Sequence, residues 1–326
     1  MKKSWLIIAS FFLLAGCFDD TSGPSRMWTN NAWSNWFGQP SIENIWPNED
    51  QTAWAFDYTW DENPYWSIVT YPDSIDVPPL PDWRKISSLL TTPLLGDSII
   101  TAHGTYRMAF NGMATAGGGV TAQNLEESFE FTRSGAAPVA MPVSGEAEFL
   151  RRLQIARPDL ANKLPGTELA PEAAQLVARN PILIHGGVWE KTSSWIGTYG
   201  DIDALLAWKF LTDNLRPGSE FTFQLLPSMA DNIYLHCRID RQLTVKTAVG
   251  DLKKAIDCLY LVDLGNSQVF NPTGGSQGYA RGIIYGRVIY APSVGPVYCH
   301  ERPLADTTDL MGASDMELTL GEFDEP

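Results

Sequence analysis

Between Ile233 and Lys246 the chain alternates apolar and polar residues. Ile233, Leu235, Cys237, Ile239, Leu243 and Val245 stand against Tyr234, His236, Arg238, Asp240, Gln242, Thr244 and Lys246. Successive side chains of a strand point to opposite faces, so this period of two predicts a long antiparallel strand with one dry face and one wet face. Such a strand must have its apolar row covered by neighbours. Asp251 to Val262 and Tyr279 to Tyr290 read as its successors. The second sets Ala280, Gly282, Ile284, Gly286 and Val288 on one side, where small residues admit a backbone or a ligand closely. Further strand signals lie at Ala53–Trp60, Ser98–Ala102, Thr105–Phe110, Glu127–Thr132 and Glu220–Leu225. Ala204 to Leu211 fits helix or strand, and the turn chemistry of Leu215-Arg216-Pro217-Gly218 after it favours strand. Gly117-Gly118-Gly119 lacks the spacing of a phosphate cradle and reads as a hairpin loop.

Helical signals interrupt this pattern twice. Asp82 is placed to cap a short helix through Leu90. Within 146–179, Phe149, Leu153, Ala156, Leu160 and Leu164 recur at helical spacing, Pro158 marks a break or kink, and Pro171 opens a second helix reaching Arg179. The expected architecture is mainly β with helical insertions (α+β), a curved antiparallel sheet or half-barrel covered by helices, spanning 46–305. Core-covering helices are the plain interpretation of 146–179 and a lid over a cavity the sharper one. In the second case Ile284, Val288, Leu153 and Leu160 line a ligand cavity. Residues 17–45 are polar, Gly- and Pro-punctuated and carry Trp28, Trp33 and Trp36. They read as a tether, unless the tryptophans dock it onto the domain. Residues 306–326 hold seven acidic and no basic side chains and read as a disordered tail.

The amino terminus carries an address. Lys2 and Lys3 precede an apolar run, Trp5 to Leu13, that has about half the roughly 20 residues needed to span a bilayer, which makes it a cleavable leader. Leu14-Ala15-Gly16-Cys17 resembles the lipobox of bacterial lipoproteins. That resemblance implies cleavage between Gly16 and Cys17, so that 1–16 is a signal peptide, and lipidation of Cys17 with acyl chains such as palmitate. At about 0.8 kcal/mol per buried CH₂, several chains hold a protein on a membrane permanently. By the same resemblance Phe18 directly after the cysteine, with Asp19 one later, leans towards the outer membrane. Cleavage removes two lysines and no acid, taking the formal charge from -15 to -17. Nucleic acid is excluded as a partner by that balance, and membrane contact must come through the lipid on Cys17.

No cofactor, metal or catalytic motif is present. His103, His185, His236 and His300 are scattered without ligand spacing, and His236 falls on the polar face of its strand, where a solvated side chain is expected. Asp201 and Asp203, two apart in a Gly-Asp-Ile-Asp turn, read more simply as turn and cap residues than as paired catalytic carboxylates. Cys237, Cys258 and Cys299 leave open one disulfide plus a free thiol. With a turn at Ala248 to Asp251, Cys237 and Cys258 share a face but sit about four residues out of register, so a bridge needs an earlier turn or a bulge. The segments Thr247-Ala248-Val249-Gly250-Asp251-Leu252 and Tyr290-Ala291-Pro292-Ser293-Val294-Gly295-Pro296-Val297 resemble a recurring hairpin pattern of uncharacterised bacterial envelope lipoproteins. Those are distantly similar to the carrier and receptor half-barrels of the Lol pathway, which enclose acyl chains. The resemblance bears on fold and says little about activity; the leading expectation is a lipid-anchored, non-catalytic binding or scaffolding module for an apolar ligand, an envelope protein or a glycan. A glycan-contact or adhesion protein using exposed aromatics, among 12 Trp and 11 Tyr, is the alternative, and an envelope hydrolase the third reading.

Overall fold

The computed structural model describes residues 40–47, 49–62, 71–77, 79–92, 100–116, 119–134, 183–199, 208–225, 233–270, 277–304 and 314–325. Cys17, Gly16, Asp201, Asp203 and the whole 146–179 interlude with Leu153 and Leu160 lie outside these. Among the described residues twelve strands form one antiparallel sheet. They are β1 (Ala53–Glu62), β2 (Ile100–Thr115), β3 (Thr121–Ser134), β4 (Gly187–Lys191), β5 (Trp195–Tyr199), β6 (Trp208–Thr212), β7 (Glu220–Leu225), β8 (Ile233–Thr247), β9 (Gly250–Phe270), β10 (Gln277–Ala291), β11 (Gly295–Leu304) and β12 (Ser314–Asp324).

Each strand pairs with its sequence neighbours, β1 pairs with β12, and only β6 and β7 do not pair with each other. Those two strands nevertheless approach, and Sγ of Cys237 on β8 lies 3.9 Å from the Phe210 carbonyl on β6. The expected half-barrel is therefore a nearly closed up-and-down barrel whose seam lies in mid-chain. Strand twist accumulated over this many strands curls a sheet until its edges meet.

The period of two decides what faces inward. On β8, Ile233, Leu235, Cys237 and Ile239 are fully buried, and a bulge between Ile239 and Arg241 releases Arg241 to the surface. Trp54, Phe56, Tyr58 and Trp60 of β1 share this interior with Met316, Leu318 and Leu320 of β12. Residues 314–324 thus correct the expectation of a disordered tail. Their acids alternate with buried apolar side chains, so the acidic residues face outward from a paired strand. Ile284 and Val288 also sit in the packed interior. The signals at Ser98–Ala102 and Thr105–Phe110 belong to the single strand β2, as far as the described residues reach. The strand reading of 204–211 holds for Trp208 onward, the rest lying outside the described residues.

Cover by helices overstates what is seen. The α-helices among the described residues are α1 (Ile42–Ile45) and α2 (Trp83–Leu89). α1 plugs the barrel end that carries the 291–295 turn. Ile42, Ile45 and Trp46 are buried there, and Trp46 stacks on Trp189 with centroids 4.9 Å apart. Its last turn is tied by Lys191, whose Nζ donates to the Trp46 carbonyl at 2.8 Å, and by Ser293, whose N–H donates to the Asn44 carbonyl. The packed body therefore includes residues 40–45, which fall inside the segment expected to be tether. The conspicuous hairpin motif forms the other half of this contact: Tyr290 lies 6.1 Å from Trp46, and Gly295, at φ +81°, lets Pro47 approach. α2 has the expected cap, Asp82 accepting from the Lys85 N–H at 2.8 Å. It lies on the outside of the barrel.

Candidate functional site beside the outer strap

Residues 71–77 and 79–92 form a strap across the outer face of β7 to β11. At one end Tyr71 exchanges backbone hydrogen bonds with Tyr279. At the other, Ile86 and Leu90 bury themselves on Leu259, Leu261, Ile283 and Tyr285. The register places Thr222, His236, Leu261, Tyr285 and Arg302 in one row beneath it.

Ionic groups fasten the strap beyond that apolar patch. Arg302, with its side chain 5% exposed, donates Nη1 to the Leu89 carbonyl at 2.8 Å and forks onto Asp315 at 2.9 and 2.8 Å. His300 bonds the same carboxylate. Burial opposes ionisation of Asp315, but the hydrogen bonds from His300 and Arg302 outweigh it and hold the carboxyl down to about 2. One strand over, Arg287 reaches Ser87 at 3.1 Å and lies 2.8 Å from Asp257, which Arg241 also contacts at 3.1 Å. Burial nonetheless raises the Asp257 carboxyl above its ordinary value, against both arginines.

Between the strap and the β7 end of the sheet a groove of about 190 Å³ stays open. Leu80, Pro81, Trp83 and Ile86 form one wall; Glu220, Thr222, His236 and Leu261 form the other. Thr222 Oγ1 and His236 Nδ1 are 3.0 Å apart, so one hydrogen bond joins them and Nε2 is the ring nitrogen open to a ligand. Burial lowers the His236 pKa; Asp263 opposes this and Arg281 adds to it, leaving a neutral imidazole at pH 7. His236 is therefore half-buried in a groove rather than solvated. Asp263 is forked by Arg281 at 2.9 and 2.7 Å and accepts the Gly265 N–H, so it is not wired to His236 as the acid of a nucleophile–base–acid chain. Glu220 is likewise held, by Arg238 at 2.5 Å. The groove sets an apolar wall carrying one indole, Trp83, against the Thr222–His236 pair and the Arg238-paired Glu220.

The interior holds polar chemistry of another kind. Tyr260 donates its hydroxyl to buried Glu301 at 2.5 Å across β10, a reach that Gly286 permits: a Cβ there would meet the Tyr260 ring at 2.5 Å and the His300 carbonyl at 2.6 Å. Cys237, Cys258 and Cys299 are buried and none is in a disulfide. The hairpin register sets Cys237 opposite Tyr260 and Cys258 opposite Ile239, an offset of two residues rather than four, because the turn falls earlier, between paired Thr247 and Gly250, while the two bulges, one on each strand, cancel. Burial, with Cys258 close by, pushes the Cys237 thiol well up. His185 is buried against Trp189 and Phe210, while His103 lies on the outer face of β2.

The Thr222–His236 pair and the Arg302–Asp315 clasp escape sequence reading because each joins residues of different strands. A period-two pattern names the face of each residue, not its cross-strand neighbour.

No family model matches the chain, and no curated protein matches it in sequence. Among solved structures it is similar to a candidate lipoprotein from Parabacteroides distasonis ATCC 8503, at 9% identity and TM-score 0.26 over 86% of this chain and 98% of that one. It is similar also to a candidate exported protein with YmcC-like fold from Bacteroides fragilis NCTC 9343, at 11% identity and TM-score 0.27 over 86% of this chain and 99% of that one.

Proposed function

We propose that this chain is a lipid-anchored protein of the bacterial cell envelope, held in the outer membrane through acyl chains on Cys17. Its barrel is a non-catalytic binding module that works through the strap groove. The observation that carries the binding role is the groove itself: an open, half-aromatic cleft lined by Trp83 on one side and the Thr222–His236 pair on the other. Pockets that orient ligands combine an apolar lining with a few placed polar groups, and this one does so. The sequence Leu14-Ala15-Gly16-Cys17 supports the anchor.

Two measurements test the two halves. Full-length chain expressed in a diderm host and extracted from membranes should show an intact mass lacking residues 1–16 and carrying acyl groups, and Cys17→Ser should release it to the soluble fraction. Retention of Met1, or a bare thiol at Cys17, sinks the anchor. For the groove, small uncharged ring compounds should perturb the His236 imidazole resonances of the full chain. If none does so while the protein is folded, the groove is not a binding site.

A further inference from the structure

Four properties of the groove narrow what it takes. Its charges are already matched: Glu220 is paired with Arg238, and Asp263 beside His236 is paired with Arg281. An ion entering here finds no unmatched counter-charge among the described lining residues, and the chain's balance of -15 further disfavours an anion. One wall is apolar, with half-buried Trp83 beside Leu80 and Pro81. The facing wall presents two polar groups side by side, the Thr222 hydroxyl and the His236 ring. After their mutual bond each keeps hydrogen-bonding capacity: lone pairs on the hydroxyl oxygen and Nε2 on the ring. Finally, about 190 Å³ suits a single ring, and the groove is open, so the ring can belong to a longer chain running out into solvent.

Resting on the groove being a binding site, we propose that it takes one neutral sugar residue of an envelope glycan, stacked by its apolar face on Trp83 and held by adjacent hydroxyls at Thr222 and His236. A pyranose has what the two walls ask for: axial C–H groups on one face, and neighbouring hydroxyls along one edge that both donate and accept. A tyrosine side chain of a partner protein fits the aromatic wall as well. It offers one hydroxyl to a wall that presents two polar groups, so the sugar uses the site more fully. Aromatic residues fit such rings because their burial demands no charge and little ordering.

The test uses the full lipidated chain in a detergent without a sugar headgroup. Saturation-transfer NMR is run with a panel of neutral mono- and disaccharides, with p-cresol as the tyrosine mimic and glucuronate as the anionic control. Neutral sugars should receive saturation through their ring protons, and glucuronate less. Trp83→Ala and Thr222→Val should each weaken binding about tenfold, the equivalent of about 1.4 kcal/mol. Thr222→Val keeps the shape and deletes only the hydroxyl, so it guards against Trp83→Ala acting by loosening the strap. Binding of p-cresol without any sugar overturns this proposal and leaves the groove a binding site for protein side chains. Glucuronate binding as well as neutral sugars overturns the charge argument and with it the proposal. No binding by any panel member overturns both the proposal and the reading beneath it.

Discussion

Two stretches of non-strand chain dock on the barrel, and they are held by opposite means. The plug, residues 40–47, is held by burial: Trp46 stacks on Trp189 and also neighbours Trp54 and Tyr290, and its polar ties run to backbone carbonyls. The strap keeps a smaller apolar footing and is held by two barrel arginines, Arg302 at the Leu89 carbonyl and Arg287 at the Ser87 hydroxyl, each oriented by a barrel carboxylate, Asp315 or Asp257. Apolar burial carries no titratable group and is indifferent to pH, whereas ion pairs answer to it. The plug is therefore built as a permanent part of the barrel. The strap, which forms one wall of the groove, is the part whose attachment the environment can adjust.

Trp46→Ala makes the largest expected difference. It deletes a fully buried stacked indole with no room for the neighbours to collapse, a loss of about 4 kcal/mol. Urea denaturation should show that drop equally at pH 5 and pH 8. A loss under about 1 kcal/mol means the plug is not part of the cooperative unit. Next comes Gly286→Ala, on the wall that both regions share. The added methyl overlaps the Tyr260 ring and the His300 carbonyl, and overpacking of this kind costs about 2–3 kcal/mol. Tyr260→Leu carries its own cost because it removes the donor to Glu301, so the comparison is made within that background. There Gly286→Ala should cost much less than in the parent chain if the overlap with Tyr260 is the cause, and an equal cost points to the His300 backbone instead.

How much of this was written in the residues differs between the regions. The alternation at β8, the cap at Asp82 and the turn after Tyr290 are local patterns, and each appears where local chemistry puts it. The acidic end was misread by composition: Met316, Leu318 and Leu320 carried a period of two that seven carboxylates obscured. The plug was read as tether because a four-residue helix has too few positions to show a period. The groove and the clasps could not be read at all. Thr222, His236 and Trp83 converge only once three strands are in register and the strap lies on them.

Asp315→Asn gives the third effect and separates the regions by pH. The folded carboxyl titrates near 2, below its ordinary value, so it stabilises the fold above about pH 4, and that stabilisation is lost as pH falls towards 2. The shift corresponds to about 2 kcal/mol at neutral pH. Asp257 acts in the opposite sense, since its raised carboxyl favours the fold when protonated. Stability of the parent chain should therefore decline between about pH 4 and pH 2, and Asp315→Asn should flatten that decline while lowering the plateau. Trp46→Ala should keep the decline and lower the whole curve. An unchanged acid limb in Asp315→Asn removes the clasp from the account of how the strap is held.

The smallest effect is kinetic. Cys237, Cys258 and Cys299 sit in the interior near Tyr290, at the end that Trp46 seals. The two-residue offset of Cys237 and Cys258 sets their Cα atoms about 7–8 Å apart, too far for a strain-free bridge between them. In the native protein a thiol reagent such as DTNB should react only as fast as the barrel opens. In Trp46→Ala that rate should rise, because the reagent enters through the unplugged end. Asp315→Asn leaves the plug in place and removes about half as much stability, so it should raise the rate far less. Acceleration of each variant in proportion to its own loss of stability means that thiol access follows global unfolding, and the distinction between a sealing plug and an adjustable strap then fails.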